Sequence, residues 1–218
     1  MDYAIARHNM VEGQIRPNKV TDQLVIQAME SLPREQFLPK HLRGIAYTDE
    51  DISLGDGRWL MEPVVLARLL QAADIDSNDI ALDVGCGSGY EAAVLAKIAS
   101  TVVAVETDAD FVKSATTVLN DLGIDNVAVM DADLTDGYPA QGPYNVILIN
   151  GAVEAIPASL LDQLAEGGRL VAVVRSATSP LGTAVLCTRQ NGVVGERALF
   201  DANVPVLPGF AAPPRFVF

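Results

Sequence analysis

Asp83, Gly85, Gly87, Gly89 and Glu106 are the residues whose types and spacing can act together chemically. Three glycines at alternate positions let a ligand approach the backbone, because no Cβ stands in the way and positive φ costs little. They follow an apolar run, Ile80-Ala81-Leu82-Asp83-Val84, and precede a helical stretch, so free backbone N–H groups gather where that helix begins. A second apolar run, 101–105, ends in Glu106. Strand, glycine turn, helix, strand, acid is the arrangement of a nucleotide site, with the acid placed to take two ribose hydroxyls. The plain alternative is a tight strand-to-helix turn without a ligand. The complete set of flanking elements favours the site.

The register of the glycines separates the nucleotides. A dinucleotide fingerprint, G-x-G-x-x-G, begun at Gly85 needs a third glycine at position 90, which is Tyr90. The pattern acid-x-G-x-G-x-G instead resembles motif I of class I S-adenosylmethionine (AdoMet) methyltransferases. A dinucleotide sets its pyrophosphate on the helix N-terminus. AdoMet carries no phosphate, and its ammonium suits Asp83. On this resemblance Gly85, Cys86, Gly87, Ser88, Gly89 and Tyr90 underlie the methionine and ribose, and Glu106 with Thr107 serves the ribose. Asp133 accepts from the adenine amino group, Leu134 packs on the ring, and Asn150 lies near the transferable methyl. Glu106 as a solvated strand end is the plain alternative that its register with motif I disfavours; Asp133 as an ordinary loop acid stays open, and the case for Asn150 is weaker again. Asp83, Asp131 and Asp133 also suggest a metal site, but motif I already accounts for Asp83, and no metal is expected.

The elements that must position these residues follow from periodicity. Helices are predicted over 3–15 and 21–30, the second with Leu24, Val25, Ala28 and Met29 on one face and Thr21 or Asp22 as its cap. Prolines bound a short turn at 31–39, and the stretch to Arg58 has little period. Pro63 opens a helix to 73. Then come strand 80–84, helix 90–99, strand 101–106, helix 109–122 ending at Gly123, strand 127–130, strand 144–149, helix 158–165 and strand 169–174. Runs at 183–189 and 193–201 flank Asn191-Gly192, a hairpin signal. The expected fold is α/β: a doubly wound, mostly parallel seven-stranded sheet of the Rossmann-like methyltransferase kind, with an N-terminal helical cap and an antiparallel C-terminal edge. Residues 1–62 are expected to form the cap and acceptor-site segment, and 63–218 the cofactor-binding domain, with 204–218 as an extended arm.

Composition narrows the function classes. The 218 residues are half hydrophobic, which suits a folded domain with a full core. A formal net charge of −13 argues against a nucleic-acid partner, which needs a basic footprint. Cys86 and Cys187 have no zinc spacing and read as buried thiols of a reducing compartment. No secretory h-region and no run of membrane-spanning length is visible, so the expected location is the cytoplasm. The oligomeric state is not legible.

Longer stretches carry a sharper resemblance. Met10-Val11 with Gln14-Ile15-Arg16, Ala28-Met29, Pro33-Arg34-Glu35-Gln36-Phe37-Leu38-Pro39 and Ala46-Tyr47 with Asp49 match one family. So do the stretch 82–96, Pro143-Tyr144-Asn145-Val146-Ile147 and Gly167-Gly168-Arg169-Leu170-Val171. On these the chain resembles protein-L-isoaspartate O-methyltransferases over most of its length. The resemblance implies AdoMet as methyl donor, S-adenosyl-L-homocysteine as product, and an isoaspartyl carboxylate of a peptide or protein as acceptor. The methyl ester then collapses to a succinimide, which allows protein repair.

One segment departs from that pattern. The family stretch Gly-x-Gly-Gln-Thr-Ile-Ser-x-Pro is here Gly55-Asp56-Gly57-Arg58-Trp59-Leu60-Met61-Glu62-Pro63. Trp59 stands for the threonine and Met61 for the serine, so two hydroxyl donors become large apolar groups. The family's Thr-Ala-Ala is Asn150-Gly151-Ala152, and its Gly-Asp-Gly is Ala132-Asp133-Leu134. The expected acceptor pocket is Trp59, Leu60, Met61 and Asn150. Three functions follow: isoaspartyl methylation, methylation of a flat or apolar small molecule, or AdoMet binding without catalysis. Tyr90 disfavours a redox dinucleotide enzyme.

Overall fold

The computed structural model describes residues 1–176, 179 and 181–210. Its main sheet is built from β3 (Ile80–Val84), β4 (Thr101–Glu106), β5 (Val127–Asp131), β6 (Tyr144–Val153), β7 (Leu164–Val174), β8 (Gly182–Gln190) and β9 (Val193–Ala202), in the order β5-β4-β3-β6-β7-β8-β9. The first five are parallel; β8 and β9 pair antiparallel at the edge. The expected seven-stranded α/β architecture is therefore the observed one.

Both sheet faces are covered, which is why the central strands read as unbroken apolar runs. Val102 and Ala104 belong to the core on one face, Val103 and Val105 to that on the other. The helices are α1 (Tyr3–Met10), α2 (Gln23–Ser31), α3 (Pro63–Ala73), α4 (Tyr90–Ala96), α5 (Ala109–Asp121) and α6 (Ala158–Leu161). Asp22 caps α2 by accepting from Leu24 N at 2.8 Å, and Asp108 caps α5 by accepting from Asp110 N at 2.9 Å. Among the described residues no helix is long and apolar enough to cross a membrane.

Several details differ from the sequence reading, among them α4, which ends at Ala96 and not at 99, and β6, which runs on to Val153. The helix from residue 3 ends at Met10 and continues as a π turn, Val11–Ile15, and a 3₁₀ turn, Arg16–Asn18, as the chain approaches Pro17. Leu24 is exposed, because α2 buries Val25, Ile26, Ala28 and Met29 instead. The helix before Gly167 is one turn long, since β7 already begins at Leu164. The stretch without period contains a hairpin, β1 (Ile52–Gly55) with β2 (Arg58–Leu60), forming a separate two-stranded sheet. Its turn residues Asp56 and Gly57 both have positive φ, +49° and +73°, as a type I′ hairpin turn requires. Of the expected arm, 204–210 are described: Val206 pairs with Ala152 beside the end of β6. Residues 211–218 lie outside the described residues.

Strand order reverses at β3, whose neighbours are β4 and β6. In such sheets ligands lie outside the carboxyl ends at the reversal. Loops begin there at Gly85 and Thr107, and Asn150 lies beside them within β6, where its register with β7 is irregular between Leu148 and Ala152.

Candidate active site

The glycine loop is held by its neighbours' backbone. Gly85 N and Cys86 N both donate to Val105 O, at 2.9 and 3.2 Å, and Gly89 N closes the loop onto Cys86 O at 2.8 Å. Gly85, Gly87 and Gly89 have φ of +82°, +49° and +90°, conformations that side chains disfavour. Cys86 is fully buried, and burial first, then the charges of Asp83 and Glu106, push its thiol well up. Tyr90 is fully buried, edge-on to Phe37 and 4.7 Å from the Arg34 guanidinium. Arg34 is itself fully buried, donating to Ala46 O and Met61 O at 2.7 Å each, so it ties the N-terminal segment to the start of α4.

Glu106 stands at the end of β4, fully buried, with both oxygens engaged. Oε2 accepts from Arg58 Nε at 2.9 Å and Gly87 N at 3.0 Å. Oε1 accepts from Arg58 Nη2 at 2.7 Å, Thr107 N at 2.8 Å and Asp108 N at 3.1 Å. Burial alone would raise the Glu106 carboxyl; the hydrogen bonds and charge of Arg58 outweigh it and hold it below its ordinary value. Arg58 also donates to Thr107 Oγ1 at 3.0 Å. The sequence reading did not assign Arg58 a role. Its only signal was a guanidinium where the family pattern has glutamine.

Asp83 is fully buried in β3, and neither of its oxygens has a close hydrogen-bond partner among the described residues. Burial first, then the charges of Glu91 and Glu106, raise its carboxyl well above the usual range. Glu91, on α4, is also buried and raised, chiefly by burial and against the opposing pull of Arg34 and of a hydrogen bond with Asn150. Ser88 Oγ, Glu91 Oε1 and Asn150 Oδ1 are likewise buried and unpartnered. Glu91 is a further residue the sequence reading left without a role.

On the acceptor side, Trp59, Met61 and Asn150 come together with Gly57, Gly151, Val204, Pro205 and Leu207 around a cavity of about 10 Å³. Such a space holds no more than about one water. Leu60 does not join them: β2 alternates, so Trp59 faces outward while Leu60 points into the core and is fully buried. The 204–210 segment closes the space from above. Ala152 N donates to Pro205 O and Leu207 N to Ala152 O, at 2.9 and 2.8 Å. A Cβ on Gly85 would stand 2.9 Å from Leu207 Cδ2, and one on Gly151 3.0 Å from Leu207 Cβ. Asp133 and Leu134 follow β5. Asp133 is exposed and accepts from Thr135 N and Oγ1 at 2.9 and 2.7 Å, which holds its carboxyl low, while Leu134 is buried.

This geometry agrees with comparison to known proteins. The family model for protein-L-isoaspartate(D-aspartate) O-methyltransferase matches residues 6–200. The chain belongs to that family. A protein-L-isoaspartate O-methyltransferase of Methanoculleus marisnigri is 41% identical over 168 residues, covering 77% of this chain and 76% of the relative. Another, of Roseiflexus castenholzii, is 38% identical over 213 residues, covering 97% and 96%. Among solved structures, a Plasmodium falciparum protein described as a family member, in complex with S-adenosyl-L-homocysteine, shares the fold. Its TM-score is 0.80 at 22% identity, covering 92% of this chain and 97% of that one.

The residues present fit the family's cofactor in type. Beside the glycine cradle, the carboxyl oxygens of Glu106 and Asp83 are acceptors of the kind that ribose hydroxyls and an ammonium donate to. The space does not yet fit: Arg58 holds Glu106 and Leu207 covers Gly85, whereas a small-molecule site needs about 300 Å³ or more.

Proposed function

We propose that the protein is an AdoMet-dependent carboxyl O-methyltransferase acting on isoaspartyl residues of peptides or proteins in the cytoplasm, without a nucleic-acid or membrane partner. The observation that carries this is Glu106 facing the 85–89 loop at the reversal of strand order, in a chain whose family match spans 6–200. AdoMet, when bound, supplies an electrophilic methyl group.

The chain's own residues do the rest. Gly85 and Gly87 admit the cofactor to the backbone, Glu106 receives ribose hydroxyls, and Asp83 offers a carboxyl to the ammonium. Asp133 and Leu134 serve the adenine. No strong base is needed, because a carboxylate acceptor is already ionised at neutral pH. The work is desolvation and aim. Residues 1–62 act as the cap that shuts water out, and Trp59 with Met61 forms the wall against which the acceptor lies.

That wall supports a second reading. With two apolar side chains beside Asn150, a small apolar carboxylic acid is the competing acceptor. Methyl-labelled AdoMet offered with an isoaspartyl peptide, its aspartyl counterpart and aromatic carboxylic acids separates the readings. Base-labile label on the isoaspartyl peptide alone is expected. Label on an aromatic acid alone favours the second reading, and label on none contradicts both.

A further inference from the structure

Glu106 is saturated. Six hydrogen bonds reach its two oxygens, two of them from Arg58 and one, the longest at 3.4 Å, from Thr107 Oγ1, whereas a carboxylate offers about four lone-pair sites. Two ribose hydroxyls therefore cannot be added; they must replace something. Thr107 N, Asp108 N and Gly87 N are backbone donors fixed by β4 and the glycine loop. Among the described residues two side chains donate to it, the Thr107 hydroxyl through one long bond and Arg58 through two short ones that span both oxygens, and Arg58 sits on the least anchored element of the site. The hairpin β1–β2 has strands of four and three residues and shares no sheet with β3–β9. A two-stranded hairpin is marginal by itself. It nevertheless lies over the loop: a Cβ on Gly87 would meet Leu54 Cδ1 at 3.4 Å and Arg58 Cβ at 3.9 Å.

We propose that Arg58 is a latch that competes with the cofactor's ribose for Glu106, so that cofactor binding releases the hairpin and opens the acceptor space beside Trp59. This rests on the cofactor reading above. The exchange is physically moderate. A buried ion pair gains little net energy over its desolvation cost, and a guanidinium returned to water recovers its hydration. Hydroxyl donors take its place on Glu106, so the carboxylate is not left bare. Because Trp59 adjoins Arg58 in β2 and lines the small cavity, the same movement that frees Glu106 displaces a wall of the acceptor space. Cofactor therefore binds before acceptor.

Trp59 is the chain's one tryptophan, so its emission reports the hairpin. S-adenosyl-L-homocysteine is titrated into wild type, Arg58→Gln and Arg58→Lys, with heat and Trp59 emission both followed. Arg58→Gln removes the charge and is expected to bind about tenfold tighter or better, because the closed state no longer subtracts from affinity. Arg58→Lys, which keeps a cation but not the fork, falls between and remains informative if the glutamine variant folds poorly. Wild-type emission shifts on binding, and free Arg58→Gln already resembles the bound state. Equal or weaker binding by Arg58→Gln, or a Trp59 signal unmoved in wild type, overturns the latch alone. No binding by any of the three proteins overturns the cofactor reading and the latch with it.

Discussion

Arg58 and Glu106 are 48 positions apart in the chain and meet through two hydrogen bonds, with 5% and 0% of their side chains exposed. Such a pair contributes little in sum, yet each member is costly to strand. Arg58→Gln and Glu106→Gln should each lose about 2–4 kcal/mol, and the double variant no more than about 1 kcal/mol beyond the worse single. Urea unfolding of the four proteins measures the cycle. Additive losses would mean that the two side chains do not depend on each other.

Much of this site was legible and its closure was not. The run from Ile80 through Gly89 to Glu106 carries strong local signals: apolar strands, glycines where φ is positive, and an acid at a strand end. The contact of Arg58 with Glu106 is non-local, and no periodicity in strands of three and four residues announces the hairpin. Asp56-Gly57 was the available clue, as it is at Asn191-Gly192, where longer flanking strands made the hairpin plain. The tail's prolines implied an extended arm, but nothing in them placed Leu207 over Gly85. Leu24 illustrates the limit of a helical wheel: α2 turns Ile26 inward in its place.

Glu62 gives a pH signature. Burial, with Asp51 and Asp49 nearby, raises its carboxyl from 4.5 to about 7. The folded state thus holds this proton more tightly than the unfolded one. Its contribution to stability is complete below about pH 4.5 and is lost as pH rises through about 7. Glu62→Gln should match wild type at low pH and exceed it at alkaline pH by about 1 kcal/mol, a value reduced for its partial exposure. Thermal melts across that range check the sign; a constant difference would exclude Glu62 as the titrating group.

The acceptor wall is testable by restoring the family's hydroxyls. Trp59→Thr with Met61→Ser should raise methylation of an isoaspartyl peptide by about tenfold, equivalent to ~1.4 kcal/mol of transition-state binding. Met61 is 1% exposed, so the variant should also lose about 2–3 kcal/mol of stability, and rates belong at low temperature. No gain in rate would place the acceptor determinants elsewhere.

Gly85 joins two constraints, its φ of +82° and Leu207 Cδ2 at 2.9 Å from a Cβ. Gly85→Ala should cost about 1–3 kcal/mol from backbone strain alone. Adding Leu207→Ala removes the collision but not the strain, so calorimetric unfolding should show only partial recovery. Full recovery would mean that the backbone conformation is not the constraint.

The most direct measurement is the distance between Arg58 Nη2 and Glu106 Oε1 in a crystal structure with S-adenosyl-L-homocysteine bound. It is 2.7 Å in the closed site. With ligand, the expected result is a separation beyond hydrogen-bond reach, more than about 3.5 Å, with the ribose hydroxyls on Glu106. Ligand bound with the pair intact, or bound away from the 85–89 loop, would contradict the account.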